Sequence, residues 1–219
     1  MPHHLFRSAH AWVFDLDNTL YPASARLFDQ IEAKMTAFVM EALSVSHKAA
    51  DELRHRYWMD HGTTLAGLMT HHGVDPERYL TEVHDISFDA LTPDPHLAEL
   101  IGQLPGRRVV YTNGSAPYAA QVLKARGLEH AFDAIYGVED ADYLPKPHAD
   151  AFAKIFAKEE FDPAEAVMFE DDPRNLAVPH GLGMVTVHVA PEAAPADHIH
   201  HHTDDLTGFL DRVKKHTRR

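Results

Sequence analysis

The stretch Ala11–Trp12–Val13–Phe14 is apolar and stops abruptly at two carboxylates, Asp15 and Asp17. Apolar residues in a short run followed by polar ones read as a buried strand that ends at its open edge. On an extended chain, residues two apart face the same side, so both carboxylates would project together. Two such groups at the end of a buried strand repel each other and lose hydration, and they need a cation or a proton to persist. The same letters also suit a plain turn, since Asp17 and Asn18 are turn formers.

Later segments repeat the pattern and favour a site over a turn. Thr112 follows Val109–Val110–Tyr111, Lys146 follows Leu144–Pro145, and Asp171 follows Val167–Met168–Phe169–Glu170. Between them strand and helix alternate. A helix opens at Asp94–Pro95, and a strand covers Val109–Tyr111. A helix then runs from Ser115 and Pro117 to Gly127. Ala134–Tyr136 is a strand, Pro147 begins a helix, Val167–Phe169 is a strand, Pro173–His180 is a helix and Val185–Val189 is a strand. Pro179 falls where that last helix should still run, which predicts an early stop or kink. This order predicts an α/β fold with a doubly wound, parallel, Rossmann-like sheet, whose ligands bind beyond the carboxyl ends of the strands. Asp15, Thr112 and Asp171 all fall at such ends.

The interval between the first two strands is too long for a structureless loop. Leu27, Ile31, Met35, Phe38 and Val39 recur at helical spacing, with Ser24 as the expected N-cap. Further helices are expected around Ala49–Trp58, after a cap at Thr63 or Thr64, and from Asp75–Pro76. The expected division is an α/β core of residues 1–20 and 91–219 with an all-helical insert at 21–90.

These segments together resemble the haloacid dehalogenase-like hydrolase superfamily, with its four motifs in order across residues 12–176. Phe14 to Pro22, His61 to Leu68, Thr112–Asn113 and Phe169 to Leu176 resemble its pyrimidine 5'-nucleotidase-like branch. The resemblance implies that the insert is a cap domain closing over the site. It implies a magnesium-dependent phosphomonoesterase working through an aspartyl-phosphate, with nucleoside 5'-monophosphates as the expected substrates. Asp15 would be the nucleophile and Asp17 the general acid and base. Thr112, Asn113 and Lys146 would bind the phosphoryl group. The Mg²⁺ ligands would be the Asp15 carboxylate, the Asp17 carbonyl and the Asp171 carboxylate. Of the three consecutive acids, Glu170 would act through a water and Asp172 would cap the helix opened by Pro173. Tyr57 and Trp58 either shape the pocket or belong to the core of the insert.

Rival chemistry exists on the same fold. Dehalogenation needs no acid two residues after the nucleophile, because halide leaves unprotonated, so Asp17 argues against it. Phosphonate hydrolysis would need a Schiff-base lysine, for which the insert offers Lys34 and Lys48. Sugar phosphates and phosphomutase chemistry remain as alternatives. A non-enzymatic binding protein is disfavoured by the intact set of motif residues.

Composition sets outer bounds. The chain has 219 residues, no cysteine and a formal net charge of −13. Disulfides, thiolate metal sites and a cysteine nucleophile are excluded. The charge disfavours a broad grip on nucleic acid polymers, and the expected partner is a small phosphorylated metabolite. No run approaches a membrane span and no signal core is seen at the N-terminus, so the expected location is the cytoplasm. The run Asp197–His198–Ile199–His200–His201–His202 is expected to be an edge strand with solvated histidines before a last helix, although clustered histidines also bind metal.

Overall fold

The computed structural model of the protein describes residues 6–217. Six strands form one parallel sheet in the order β3-β2-β1-β4-β5-β6. They are β1 (Ala11–Phe14), β2 (Arg107–Tyr111), β3 (Ala134–Tyr136), β4 (Ala166–Glu170), β5 (Val185–Val189) and β6 (His201–Thr203). The sheet is doubly wound about β1, and β1 pairs with β2 on one side and β4 on the other. Phe14 lies level with Val110 and with Phe169, and β2 and β4 each run one residue further, to Tyr111 and Glu170. That register sets Asp15, Thr112 and Asp171 around one crevice, at the switch point where such sheets bind ligands.

Alternation along β1 sends side chains to two apolar layers. Trp12 and Phe14 pack with α5 (Pro95–Gly102), α6 (Ala116–Arg126) and α9 (Leu206–Thr217). Ala11 and Val13 face α7 (Ala149–Glu159) and, further on, Leu176 and Met184. All four β1 residues are fully buried, which explains the unbroken apolar run.

Between β1 and β2 lie α1 (Leu27–Leu43), α2 (His47–His61), α3 (Thr64–His72) and α4 (Pro76–Val83). They close around their own apolar cluster of Phe38, Val39, Ala50, Tyr57, Leu65 and Leu80. Thr63 caps α3 by accepting from the Ala66 amide, and Asp75 caps α4 with Pro76 in its first turn. The expected cap of α1 is displaced. Ser24 sits in a separate 3₁₀ turn, Ala23–Ala25, and Arg26, left-handed at φ 51°, precedes the helix instead. That turn brings buried Leu27 to the first helical position.

Three other expectations are adjusted. Helix α7 begins at Ala149 rather than Pro147: His148 before it is extended, and Pro147 belongs to the preceding turn. The segment after β4 splits into a 3₁₀ turn (Pro173–Leu176) and a short helix α8 (Ala177–Gly181). Pro179 thereby falls in the first turn of α8, where a missing amide proton costs nothing. The histidine segment does form the edge strand β6, but its side chains are not simply solvated. His201 is buried against Phe6 and Phe209, His202 Nε2 lies 2.8 Å from the Ala190 carbonyl, and His200 Nδ1 is 2.9 Å from Thr186 Oγ1. Among the described residues no helix is long and apolar enough to cross a membrane.

Candidate active site

The backbone turns sharply after β1. Asn18 takes φ 60°, a left-handed value asparagine tolerates better than most residues, and the Leu20 amide reaches back to the Leu16 carbonyl at 2.9 Å. The turn separates the two carboxylates. Asp15 Oδ1 accepts from Lys146 Nζ at 2.7 Å, and its Oδ2 from Thr19 Oγ1 at 3.2 Å. Asp17 is instead held through Oδ1, which accepts from Tyr21 and Tyr118 at 2.6 Å each.

Lys146 Nζ makes three contacts: Asp15 Oδ1 and Glu170 Oε2, both at 2.7 Å, and the Tyr111 carbonyl at 3.0 Å. An ammonium has three protons, so its donors are all engaged in this state. The turn that carries it is fixed by Asn113. The Asn113 amide donates to the Lys146 carbonyl at 3.1 Å and accepts from the Lys146 amide at 2.8 Å. Thr112 Oγ1 accepts from the Gly114 amide at 2.9 Å, which leaves its own proton available to a ligand. Asp171 receives Asn18 Nδ2 at 3.2 Å. Asp172 caps the following 3₁₀ turn, as expected, and pairs with Arg174 at 2.6 Å.

All six residues named from the sequence (Asp15, Asp17, Thr112, Asn113, Lys146 and Asp171) line one cavity of about 750 Å³. Its far wall comes from the four helices and includes Ile31, Met35, Arg54, Trp58, Thr64 and Leu65. Tyr57 belongs to the core of the insert, but Trp58 is 40% exposed, and the Arg174 guanidinium sits 3.7 Å over its ring. Gly62, at φ 86°, passes so close to the Lys146 carbonyl that a Cβ there would stand 3.0 Å from it. The sequence alone did not single out Thr19, Tyr21, Tyr118 or the Glu170–Lys146 pair. Thr19 and Tyr21 stand within the quoted motif, but nothing local tells which group their hydroxyls seek.

The electrostatics are those of crowded acids. Burial, then Glu170, push the Asp15 carboxyl up to about 7 against the pull of Lys146. Burial, then Asp15, lift Asp17 to about 6 against the two tyrosine hydrogen bonds. Asp171 is raised well above the usual carboxylate range by burial, then by Asp15 and Glu170. Burial works against the Lys146 charge, but Asp15 and Glu170 outweigh it and raise its pKa. Oxygens of Asp15, Glu170 and Asp171 lie within 4.8 Å of one another. A cluster of hard carboxylate oxygens with one lysine among them is short of positive charge, and its donor set fits a hard divalent cation.

The family model for haloacid dehalogenase-like hydrolases matches residues 10–182. Phosphate metabolism protein 8 of Saccharomyces cerevisiae is 26% identical over 132 residues, 56% of this chain and 41% of that protein. The (S)-2-haloacid dehalogenase of Xanthobacter autotrophicus is 31% identical over 121 residues, 54% of this chain and 47% of that protein. This chain thus spans under half the length of those two relatives. Glyceraldehyde 3-phosphate phosphatase of Methanopyrus kandleri is 26% identical over 221 residues, 94% of each chain. In structure, the magnesium-bound HAD hydrolase YfnB of Bacillus subtilis superposes with a TM-score of 0.65 at 15% identity, covering 94% of this chain and 99% of its own. Sheet order, strand-end residues and family match agree: the chain belongs to the haloacid dehalogenase-like hydrolases.

Proposed function

We propose that the protein is a divalent-cation-dependent phosphomonoesterase that works through an aspartyl-phosphate on Asp15. The observation that carries this reading is a second carboxylate, Asp17, in the same cavity as the nucleophile. A halide leaves without a proton, whereas an alkoxide needs one. The relatives include a dehalogenase and two proteins named for phosphate chemistry. Asp17 supports the second assignment.

In the proposed reaction an Asp15 carboxylate oxygen attacks phosphorus in line, and the bond from phosphorus to the leaving oxygen breaks. Asp17 gives its proton to that oxygen. Water then attacks the phosphorus of the aspartyl-phosphate and passes a proton to Asp17, which releases Asp15 and inorganic phosphate. Thr112 donates its hydroxyl to a phosphoryl oxygen. Lys146 offsets charge on the nucleophile, and Asn113 keeps the Lys146 turn in place. Mg²⁺, held by Asp15, Asp171 and the Asp17 carbonyl, would supply charge neutralisation to the phosphoryl oxygens. The helices of residues 21–90 act as a cap over this chemistry, with residues 1–20 and 91–219 as the core.

The finer reading is a pyrimidine 5'-nucleotidase. It is supported by the resemblance at residues 14–22, 61–68 and 169–176, and by a cavity within the size range of small-molecule sites. A phosphonatase has less support. Lys34 pairs with Asp85 and Lys48 with Glu52, and neither lines the cavity. A screen of nucleoside monophosphates, sugar phosphates, phosphonates and 2-chloropropionate with Mg²⁺ tests both levels. Phosphate release from monoesters is expected, with uridine and cytidine monophosphates ahead. Sugar phosphates leading in kcat/KM by about tenfold, some 1.4 kcal/mol, would remove the nucleotidase reading. Halide release without phosphate release would remove the phosphatase reading.

A further inference from the structure

Both hydrogen bonds to the Asp17 side chain fall on one oxygen. Tyr21 and Tyr118 donate to Oδ1 at 2.6 Å each, and among the described residues Oδ2 takes none. Two O–H donors fill the in-plane lone pairs of a carboxyl oxygen and place partial positive charge beside it. A proton arriving at that carboxyl is then carried on the other oxygen.

The two phenols are built into the core rather than the pocket. Each is 1% exposed, and neither lines the site cavity. Tyr21 leaves the β1 turn four residues after Asp17. Tyr118 stands in the first turn of α6, whose N-cap is Ser115. Its ring is closely packed. His84, at the end of α4, stacks on it at 4.2 Å with 8° between planes, and a Cβ on Gly114 would come within 3.0 Å of it. His84 Nδ1 lies 3.1 Å from Ser115 Oγ, so the last helix of the insert is seated on the same residues. This packing holds the Tyr118 ring where its hydroxyl donates to Asp17.

We infer that Tyr21 and Tyr118 are positioning residues that anchor Asp17 through Oδ1 and thereby make Oδ2 the oxygen that delivers the proton to the leaving group. The inference rests on the phosphomonoesterase reading and extends it. In the first step the Oδ2–H bond breaks as the leaving oxygen takes the proton. In the second step the attacking water restores it to Oδ2. The phenols keep their own protons throughout. Their work is orientation of the acid, so it bears on the proton-transfer step and not on phosphate binding.

The test is steady-state kinetics of Tyr21→Phe, Tyr118→Phe and the double variant on glycerol 2-phosphate and on p-nitrophenyl phosphate, with Mg²⁺. The alkyl ester needs its leaving oxygen protonated, and nitrophenolate needs this little. On the alkyl ester each single variant should lose about tenfold in kcat, and the double variant more, with KM within about twofold. This is a part of the 10²–10⁴-fold that general acid–base help supplies. On the nitrophenyl ester the loss should stay below about threefold. Equal losses on both esters, a change confined to KM, or a double variant within about twofold of wild type on the alkyl ester would overturn the inference. The isosteric single changes keep both rings, and either one alone decides the matter should the double variant unfold. A wild-type protein inactive on both esters and on the nucleoside and sugar monophosphates would instead remove the phosphomonoesterase reading.

Discussion

Glu170 Oε2 lies 2.7 Å from Lys146 Nζ, and both side chains are 1% exposed. The same ammonium holds Asp15 Oδ1 at 2.7 Å, so one buried cation is shared by Asp15 and by an acid at the end of β4. Glu170 is thus tied directly to Lys146 while its oxygens also stand in the cluster with those of Asp15 and Asp171.

That sharing predicts an order of stabilities. Lys146→Met leaves buried carboxylates without their cation. Removing one partner of a buried pair costs about 3–5 kcal/mol. Glu170→Gln keeps the shape and one acceptor, and is expected to cost about 1–3 kcal/mol. Urea unfolding of both variants without metal should rank Lys146→Met as the less stable. The reverse order would show that Lys146 is not the group that holds these acids together.

Metal dependence should separate two neighbouring acids. Asp171→Ala is expected to raise the Mg²⁺ concentration needed for half-maximal activity by about tenfold or more, as loss of a direct ligand would. Asp172→Ala removes a cap and the Arg174 pair. It should cost about 1 kcal/mol of stability and leave the metal requirement nearly unchanged. Titration of activity with Mg²⁺ in both variants would show a mistaken choice of ligand if Asp172→Ala had the larger effect.

How far the site could be read in advance depended on the range of the information. Strand β1, its terminal Asp15 and the level placement of Thr112 and Asp171 follow from short apolar runs and their order, which are local properties. Asn113 was matched as part of a motif, but that its side chain clasps the Lys146 backbone depends on a residue 33 positions away. Tyr118 donates to Asp17 across 101 positions, and nothing in its own surroundings announces that. The misplaced helix starts at Ser24 and Pro147 have the same origin. Good capping and helix-starting residues were present, but burial of Leu27 and closure of the Lys146 turn decided where the helices begin. The histidines near β6 looked solvated because they are polar, whereas Phe6 and Phe209 cover His201.

Acid should weaken the seat of the four-helix segment. Burial lowers the His84 pKa from an ordinary 6.5 to about 4. Above pH 6.5 both folded and unfolded chains keep this ring neutral, and it has no effect on the balance. As pH falls from about 6.5 towards 4, the unfolded state binds a proton that the folded state does not, so stability is lost across that window. At pH 5 the loss is about 1–2 kcal/mol, reduced from the full shift because the residue is partly exposed. His84→Gln should therefore show a smaller drop in unfolding free energy between pH 7.5 and 5 than wild type does. An identical drop in both would show that His84 does not titrate in this way.

The proposed chemistry depends on attack by Asp15 on a phosphate monoester. Its most direct test is inorganic phosphate release from a single alkyl phosphate with Mg²⁺, by wild type and by Asp15→Asn of matched circular dichroism and melting temperature. The amide is nearly isosteric but is not a comparable nucleophile, so steady turnover by wild type and a loss of at least about 10⁴-fold in the variant are expected. Phosphate release by the well-folded variant at near wild-type rate, or none by wild type on any monoester, would contradict it.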